Sequence, residues 1–149
     1  MKKLMFLFII SMSMPINACT QHKKMNFEDI KEIWVYNYFQ PSGYTTASAY
    51  GQIIRLEEKN TPKFKLEQSD VNSLCRIMRE ASSSKFFHDK WGGLLIFVEL
   101  ILKDGQKLKS FIGRYAISVE IGKTYLVKDE ESRKWLDEFR NRIITNNAD

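Results

Sequence analysis

The sequence predicts an α+β domain: an antiparallel sheet of about five to six strands with two amphipathic helices packed on one face, forming a two-layer sandwich. Three observations lead there. Leu94 to Leu102 is an almost wholly apolar run held between Gly92-Gly93 and Asp104-Gly105, a length that suits a central strand better than a helix. Val71, Leu74, Cys75, Met78 and Ala81 recur at the spacing of one inward helix face. Trp135, Leu136, Phe139 and Ile143 form a second such stripe near the C-terminus.

The elements follow in order. Residues 20–28 read as a short polar tether. Ile30 to Tyr38 reads as a strand, rich in aromatic and β-branched residues. Pro41-Ser42-Gly43 breaks it, and the small, polar stretch to Ala49 is expected to be a loop or hairpin connection before a second strand from about Tyr50 to Glu57. Asn60-Thr61-Pro62 turns the chain, Phe64 and Leu66 mark a brief extended piece, and Ser69 or Asp70 is expected to cap a helix running to about Ser82. Ser82-Ser83-Ser84 then opens a loop through Phe86, His88 and Trp91.

After the central run, Asp104-Gly105 is a strong hairpin signal that sends Lys107 to Gly113 back antiparallel. Ile117, Val119 and Ile121 alternate in the next strand. Gly122-Lys123 turns it into Tyr125-Leu126-Val127. Asp129 is expected to cap the last helix, with Glu130 and Glu131 at its positive end and Arg140 and Arg142 toward its negative end.

The N-terminus carries a different message. Lys2 and Lys3, then Leu4 to Ile10, then a smaller and more polar exit from Ser11 to Ala18 follow the three-part order of a secretion signal. That apolar run is too short for a bilayer, which takes about 20 such residues. Ile16-Asn17-Ala18-Cys19 resembles the lipobox of bacterial lipoproteins, a resemblance confined to residues 1–19. It implies cleavage after residue 18 and diacylglyceryl attachment to the Cys19 sulfur, usually with a further acyl chain on the new amino group. Each buried methylene contributes ~0.8 kcal/mol, so two or three chains anchor a protein firmly. Thr20 stands where an aspartate often retains such proteins in the inner membrane, which favours the outer membrane, facing the periplasm, in a host that has one. The expected organisation is a signal over 1–18, a lipidated tether over 19–28 and a single domain over 29–149.

Composition narrows the partners. The 149 residues carry a formal charge of +5. Lys2 and Lys3 supply two of those charges and leave with the signal. The mild remainder is no nucleic-acid footprint, which needs clustered Lys and Arg on one face. Lys23 and Lys24 either lie against anionic headgroups or sit on a solvated tether. With Cys19 acylated, Cys75 has no disulfide partner and reads as a small buried hydrophobe.

Candidate site residues come from one anomaly. If Ile33 and Val35 face the helices, Trp34, Tyr36 and Tyr38 face away, and the central strand puts Leu95, Phe97, Glu99 and Ile101 on one side and Leu94, Ile96, Val98, Leu100 and Leu102 on the other. Both sides are apolar, more than two helices on one layer cover. A patch including Trp34, Tyr36 and Phe97 is therefore a candidate partner-binding surface for an envelope protein or a peptidoglycan-like ligand. The alternative is burial by the Pro41–Ala49 loop, the Phe86–Trp91 loop or sheet curvature.

His88 and Trp91 form a second candidate binding edge, in a loop whose plainer reading is an anchored surface turn. Glu99 is either a carboxylate of raised pKa, and so a candidate acid, or a side chain that faces water or pairs with Lys107 or Lys109 across the hairpin. No catalytic constellation, metal-ligand spacing or cofactor motif is expected. The expected function is a membrane-anchored, non-catalytic binding module, with an inhibitor or immunity-type lipoprotein, and then a small hydrolase, as alternatives.

Overall fold

The computed structural model describes residues 25–39, 44–84, 94–119 and 123–147. Phe27–Asp29 is a single 3-10 turn capped by Asn26, and it leads directly into strand β1, Ile30–Tyr36. Helix α1 is Thr46–Glu58, β2 is Lys63–Lys65, α2 is Gln68–Glu80 and β3 is Ser82–Ser84. The meander β4 (Ile96–Leu102), β5 (Lys107–Ile112), β6 (Ala116–Val119) and β7 (Thr124–Leu126) precedes α3, Glu130–Asn146. Among the described residues seven strands form one antiparallel sheet in the order β2-β1-β4-β5-β6-β7-β3.

The α+β class holds, with a wider sheet and a third helix. Two apolar clusters lie on opposite sides of the sheet. On one side Ile33, Val35, Ile96, Val98, Leu100, Ile112, Ile117 and Val119 pack with Val71, Leu74, Ile77 and Met78 of α2 and Leu136, Phe139 and Ile143 of α3. On the other, Tyr36, Leu95, Phe97, Phe111 and Ala116 pack with Ala49, Tyr50, Ile53 and Leu56 of α1. One helix thus covers the face that two could not reach.

α1 replaces the strand expected over Tyr50–Glu57, and its ends explain why. Thr45 and Ser48 form a reciprocal capping box: the Ser48 amide donates to Thr45 Oγ1 at 3.2 Å and the Thr45 amide to Ser48 Oγ at 2.8 Å. At the other end Asn60 adopts φ 51°, and the amides of Asn60 and Thr61 donate to the carbonyls of Glu57 and Leu56. This is a Schellman stop, with Pro62 immediately beyond it. Asn60-Thr61-Pro62 does turn the chain, but it ends a helix. Ala49, Ile53 and Leu56 share the buried side at helical spacing.

The second helix begins earlier than expected. Glu67 is its N-cap residue and makes no side-chain capping bond, so neither Ser69 nor Asp70 caps it. The buried Asp70 instead accepts from Arg142 Nη2 of α3 at 2.7 Å, tying the two helices together. The serines after α2, expected to open a loop, form edge strand β3 against β7. Both edge strands have three residues, which leaves little unpaired backbone for stray pairing.

The meander follows its expected course where it is described; Ile121 and Gly122 lie outside the described residues. Gly105 takes φ 85° in the β4–β5 turn, a backbone conformation that favours glycine. Ile96–Leu102 is buried along nearly its whole length, as befits an interior strand. Asp129 caps α3, accepting from the Ser132 amide at 2.7 Å. Arg140 and Arg142 do not occupy the last turn of α3; they make cross-links, Arg140 to Asp137 and the Leu94 carbonyl and Arg142 to Asp70. Phe27, assigned to the tether, packs edge-on against Tyr125 at 4.9 Å, so ordered packing starts before residue 29.

Candidate functional site

A cleft lies beside α1, between that helix and strands β4 and β5. The cleft, of about 510 Å³, is lined by Tyr50, Ile54, Glu57, Glu99, Lys107, Leu108 and Lys109. That volume lies within the range of small-ligand sites, roughly 300–1,000 Å³. Tyr50, Ile54 and Glu57 come from successive turns of α1, at the spacing that stacks side chains along one helix side. Lys107 and Lys109 alternate on β5, whereas the Leu108 side chain belongs to the opposite core.

Charge is arranged as a lattice. Lys63 Nζ lies 3.2 Å and Lys107 Nζ 3.7 Å from the same oxygen of Glu99, whose side chain is only 8 % exposed. Lys109 Nζ lies 2.8 Å from Glu57 Oε2, and the other Glu57 oxygen accepts from the Tyr36 hydroxyl at 3.3 Å. Burial, with Glu57 and Glu99 adding their negative charge, pushes the Tyr36 hydroxyl well above its ordinary pKa, so it stays protonated and donates. Lys63 is also fixed over the Tyr36 ring, 5.1 Å from its centroid. Farther along the same face Glu32 accepts from the Trp34 indole at 3.0 Å and from Lys65 at 2.8 Å.

The apolar wall is unequal to the rest of the surface. Ile54 is 46 % exposed, one of two large hydrophobic side chains so exposed among the described residues; the other is Tyr115. Tyr50 is buried, edge-on to Phe111 at 5.2 Å, with its hydroxyl 3.2 Å from Ser118 Oγ. This joins the helix to a buried polar group that includes Ser110 and Thr124.

The expected site residues separate. Tyr36 and Phe97 are core side chains, Phe97 packed among Tyr38, Tyr44 and Phe111 beneath the α1 side of the sheet, so they form no exposed aromatic patch. Trp34 is half-buried and bound to Glu32. His88, Trp91 and Cys19 lie outside the described residues. Glu99 is buried and does not face water; it pairs with Lys107, as expected, and more closely with Lys63, whereas Lys109 turns to Glu57.

Ile54, Tyr50 and Glu57 were missed because the segment reads as a strand; the capping box at Thr45 was the available signal. Cys75 is buried, and desolvation pushes its thiol up to about 11, in keeping with a packing role. Among the described residues no group of three or more His, Cys, Asp or Glu side chains is placed to hold a metal ion, and no helix is long and apolar enough to cross a membrane. Compared with family models, curated proteins and solved structures, the chain matches none.

Proposed function

We propose that this chain is a lipid-anchored, non-catalytic binding module of the cell envelope, held to a bilayer through acylated Cys19 and using the cleft beside α1 to engage an envelope component. The anchoring half rests on one observation: the cationic start, short apolar run and Ile16-Asn17-Ala18-Cys19 sequence at the N-terminus. The binding half is supported by the pairing of an exposed Ile54 with a fixed array of lysines and carboxylates. Recognition sites combine apolar contact with a few placed polar groups in this manner.

Two measurements test the reading. Expressed in a bacterium, wild-type protein partitions into detergent and yields an N-terminal peptide carrying acyl mass on Cys19, whereas Cys19→Ser partitions into water. A photo-activatable residue at position 54 cross-links an envelope component that one at position 131, on α3, does not. An unmodified Cys19 thiol in the mature protein sinks the anchor, and equal labelling from both positions sinks the cleft.

A further inference from the structure

We propose that the domain stands on the bilayer with one end of its sheet down, held there by a short tether. The end formed by the 3-10 turn, the start of β1 and the β4–β5 turn meets the lipid headgroups, and the β5–β6 turn with Tyr115 points away. This goes beyond the cleft and rests on the lipid-anchor half of the reading above. It comes from where ordered packing begins. Met25 and Phe27 already lie against the α2 and α3 side of the core, with the Phe27 ring 4.9 Å from that of Tyr125. Glu28 lies 3.8 Å from Arg79 of α2, and the Asp29 carbonyl accepts from the Lys103 amide, at the β4–β5 turn, at 2.8 Å. The chain is thus tied to the body just after residue 25.

Cys19 stands six residues before Met25. However those residues are arranged, they span no more than about 22 Å. With acyl chains on Cys19 buried in the bilayer, residue 19 stays at the lipid surface, and the 3-10 turn is held close above it. The sheet fixes which elements share that end. Ile30 pairs with Leu102 and Ile101 with Lys107, so the start of β1, the end of β4 and the start of β5 lie together. Ser110 pairs with Val119, whose amide donates to the Lys123 carbonyl, which brings Lys123 to the same end. Ile112 pairs with Ile96 on one side and Ile117 on the other, which puts Arg114 and Tyr115 at the opposite end. At about 3.4 Å per residue, the seven residues of β4 set the two ends roughly 20 Å apart.

Side chains at the lower end suit a headgroup surface. Lys31 and Lys103 are exposed and Lys123 is half-buried, and among the described residues none of the three has a carboxylate within ion-pair distance. Their ammonium groups are open to lipid phosphates. Of the acidic neighbours, Glu28 is engaged by Arg79, Asp104 accepts from the Gln106 amide at 2.9 Å, and Asp29 is half-buried.

The test uses the full lipidated chain in phosphatidylcholine nanodiscs that contain a lipid with a gadolinium chelate on its headgroup, and reads the relaxation that the metal adds to backbone amides. That relaxation falls with the sixth power of distance, so the roughly 20 Å between the ends makes it at least about tenfold greater for Gly105 than for Tyr115. Inserting about 20 Gly-Ser residues between residues 24 and 25 removes most of the contrast, because a flexible linker of that length reaches farther than the sheet is long.

The proposal falls if Gly105 and Tyr115 are affected equally, or Tyr115 more strongly. It also falls if the contrast survives the insertion, since the surface then holds lipid without the tether. Mass spectrometry of the same sample keeps the two readings apart: acyl mass on Cys19 with no contrast overturns the orientation alone, whereas an unmodified thiol there overturns the anchor and the orientation with it.

Discussion

Glu99 lies directly across the β4–β5 ladder from Lys109, yet the two do not pair. The Glu99 carboxylate goes to Lys63, on β2, which is separated from β4 by the whole of β1. The Lys109 ammonium goes up to Glu57 on α1. A simple cross-strand pair would have bound neighbours that the backbone already joins. The observed exchange instead links an edge strand and a helix to the middle of the sheet, and so shapes the cleft.

The two ion pairs differ in worth because they differ in burial. Lys63→Ala leaves a carboxylate that is 8 % exposed with only the 3.7 Å contact to Lys107, and should cost about 1–2 kcal/mol. Lys109→Ala disturbs a half-exposed pair and should cost less than about 1 kcal/mol. Urea unfolding of the two variants in parallel checks the order, and equal midpoints contradict it.

Phe97 and Ile54 lie on the same side of the sheet region but in opposite surroundings. Phe97 has no solvent exposure, so Phe97→Ala should destabilise by about 3–5 kcal/mol, through lost transfer energy and an unfilled cavity. Ile54→Ala should stay within about 0.5 kcal/mol. Thermal denaturation with matched scan rates separates them; a Phe97 variant as stable as wild type would show that the α1 side of the sheet does not pack as described.

The α3 cap predicts a pH dependence. The Ser132 backbone amide, followed by its hydroxyl, holds the Asp129 carboxyl below its usual range. Because the folded pKa is depressed, the stabilisation is present above the unfolded value, about 3.9, and is lost as pH falls through the folded one. Asp129→Ala should cost about 1 kcal/mol at pH 7. Comparing wild type and variant at pH 7 and near pH 2.5 should show the gap closing, and a gap that widens in acid reverses the sign.

Cys75 supplies a report on both burial and anchoring. With its thiol pushed up to about 11 by desolvation, it should react slowly with maleimide at pH 8 in the folded protein and fully after denaturation. If Cys19 is acylated, denatured mature protein should titrate a single thiol. Two thiols would contradict the anchor, and rapid labelling of folded protein would contradict the burial.

Much of the scaffold is legible residue by residue. The Asp104-Gly105 turn, the alternation through Ile117 and Val119, and the Asp129 cap are all signals spanning a few positions, and each appears where it was read. α1 reads locally as a strand because Tyr50, Ile53 and Ile54 are strand-favouring residues and Gly51 weakens a helix. Its Thr45 and Ser48 box was equally local, so the information was present but outweighed. Asp70 differs: a carboxylate at a helix start looks like a cap, and only the approach of Arg142 from a helix remote in sequence gives it another task.

The sequence by itself determined the α+β class, the order of the meander, the last helix and its cap, because periodicity and turn chemistry act over short stretches of chain. It also held the surplus of apolar residues on both sides of β4, without saying what would cover the second side. Only the tertiary structure decided that α1 lies there, that Tyr36 and Phe97 become core, and that Glu99 reaches past Lys109 to Lys63. Those outcomes depend on which remote surfaces meet, and burial and ion pairing take their energy from that meeting and not from neighbours in the chain.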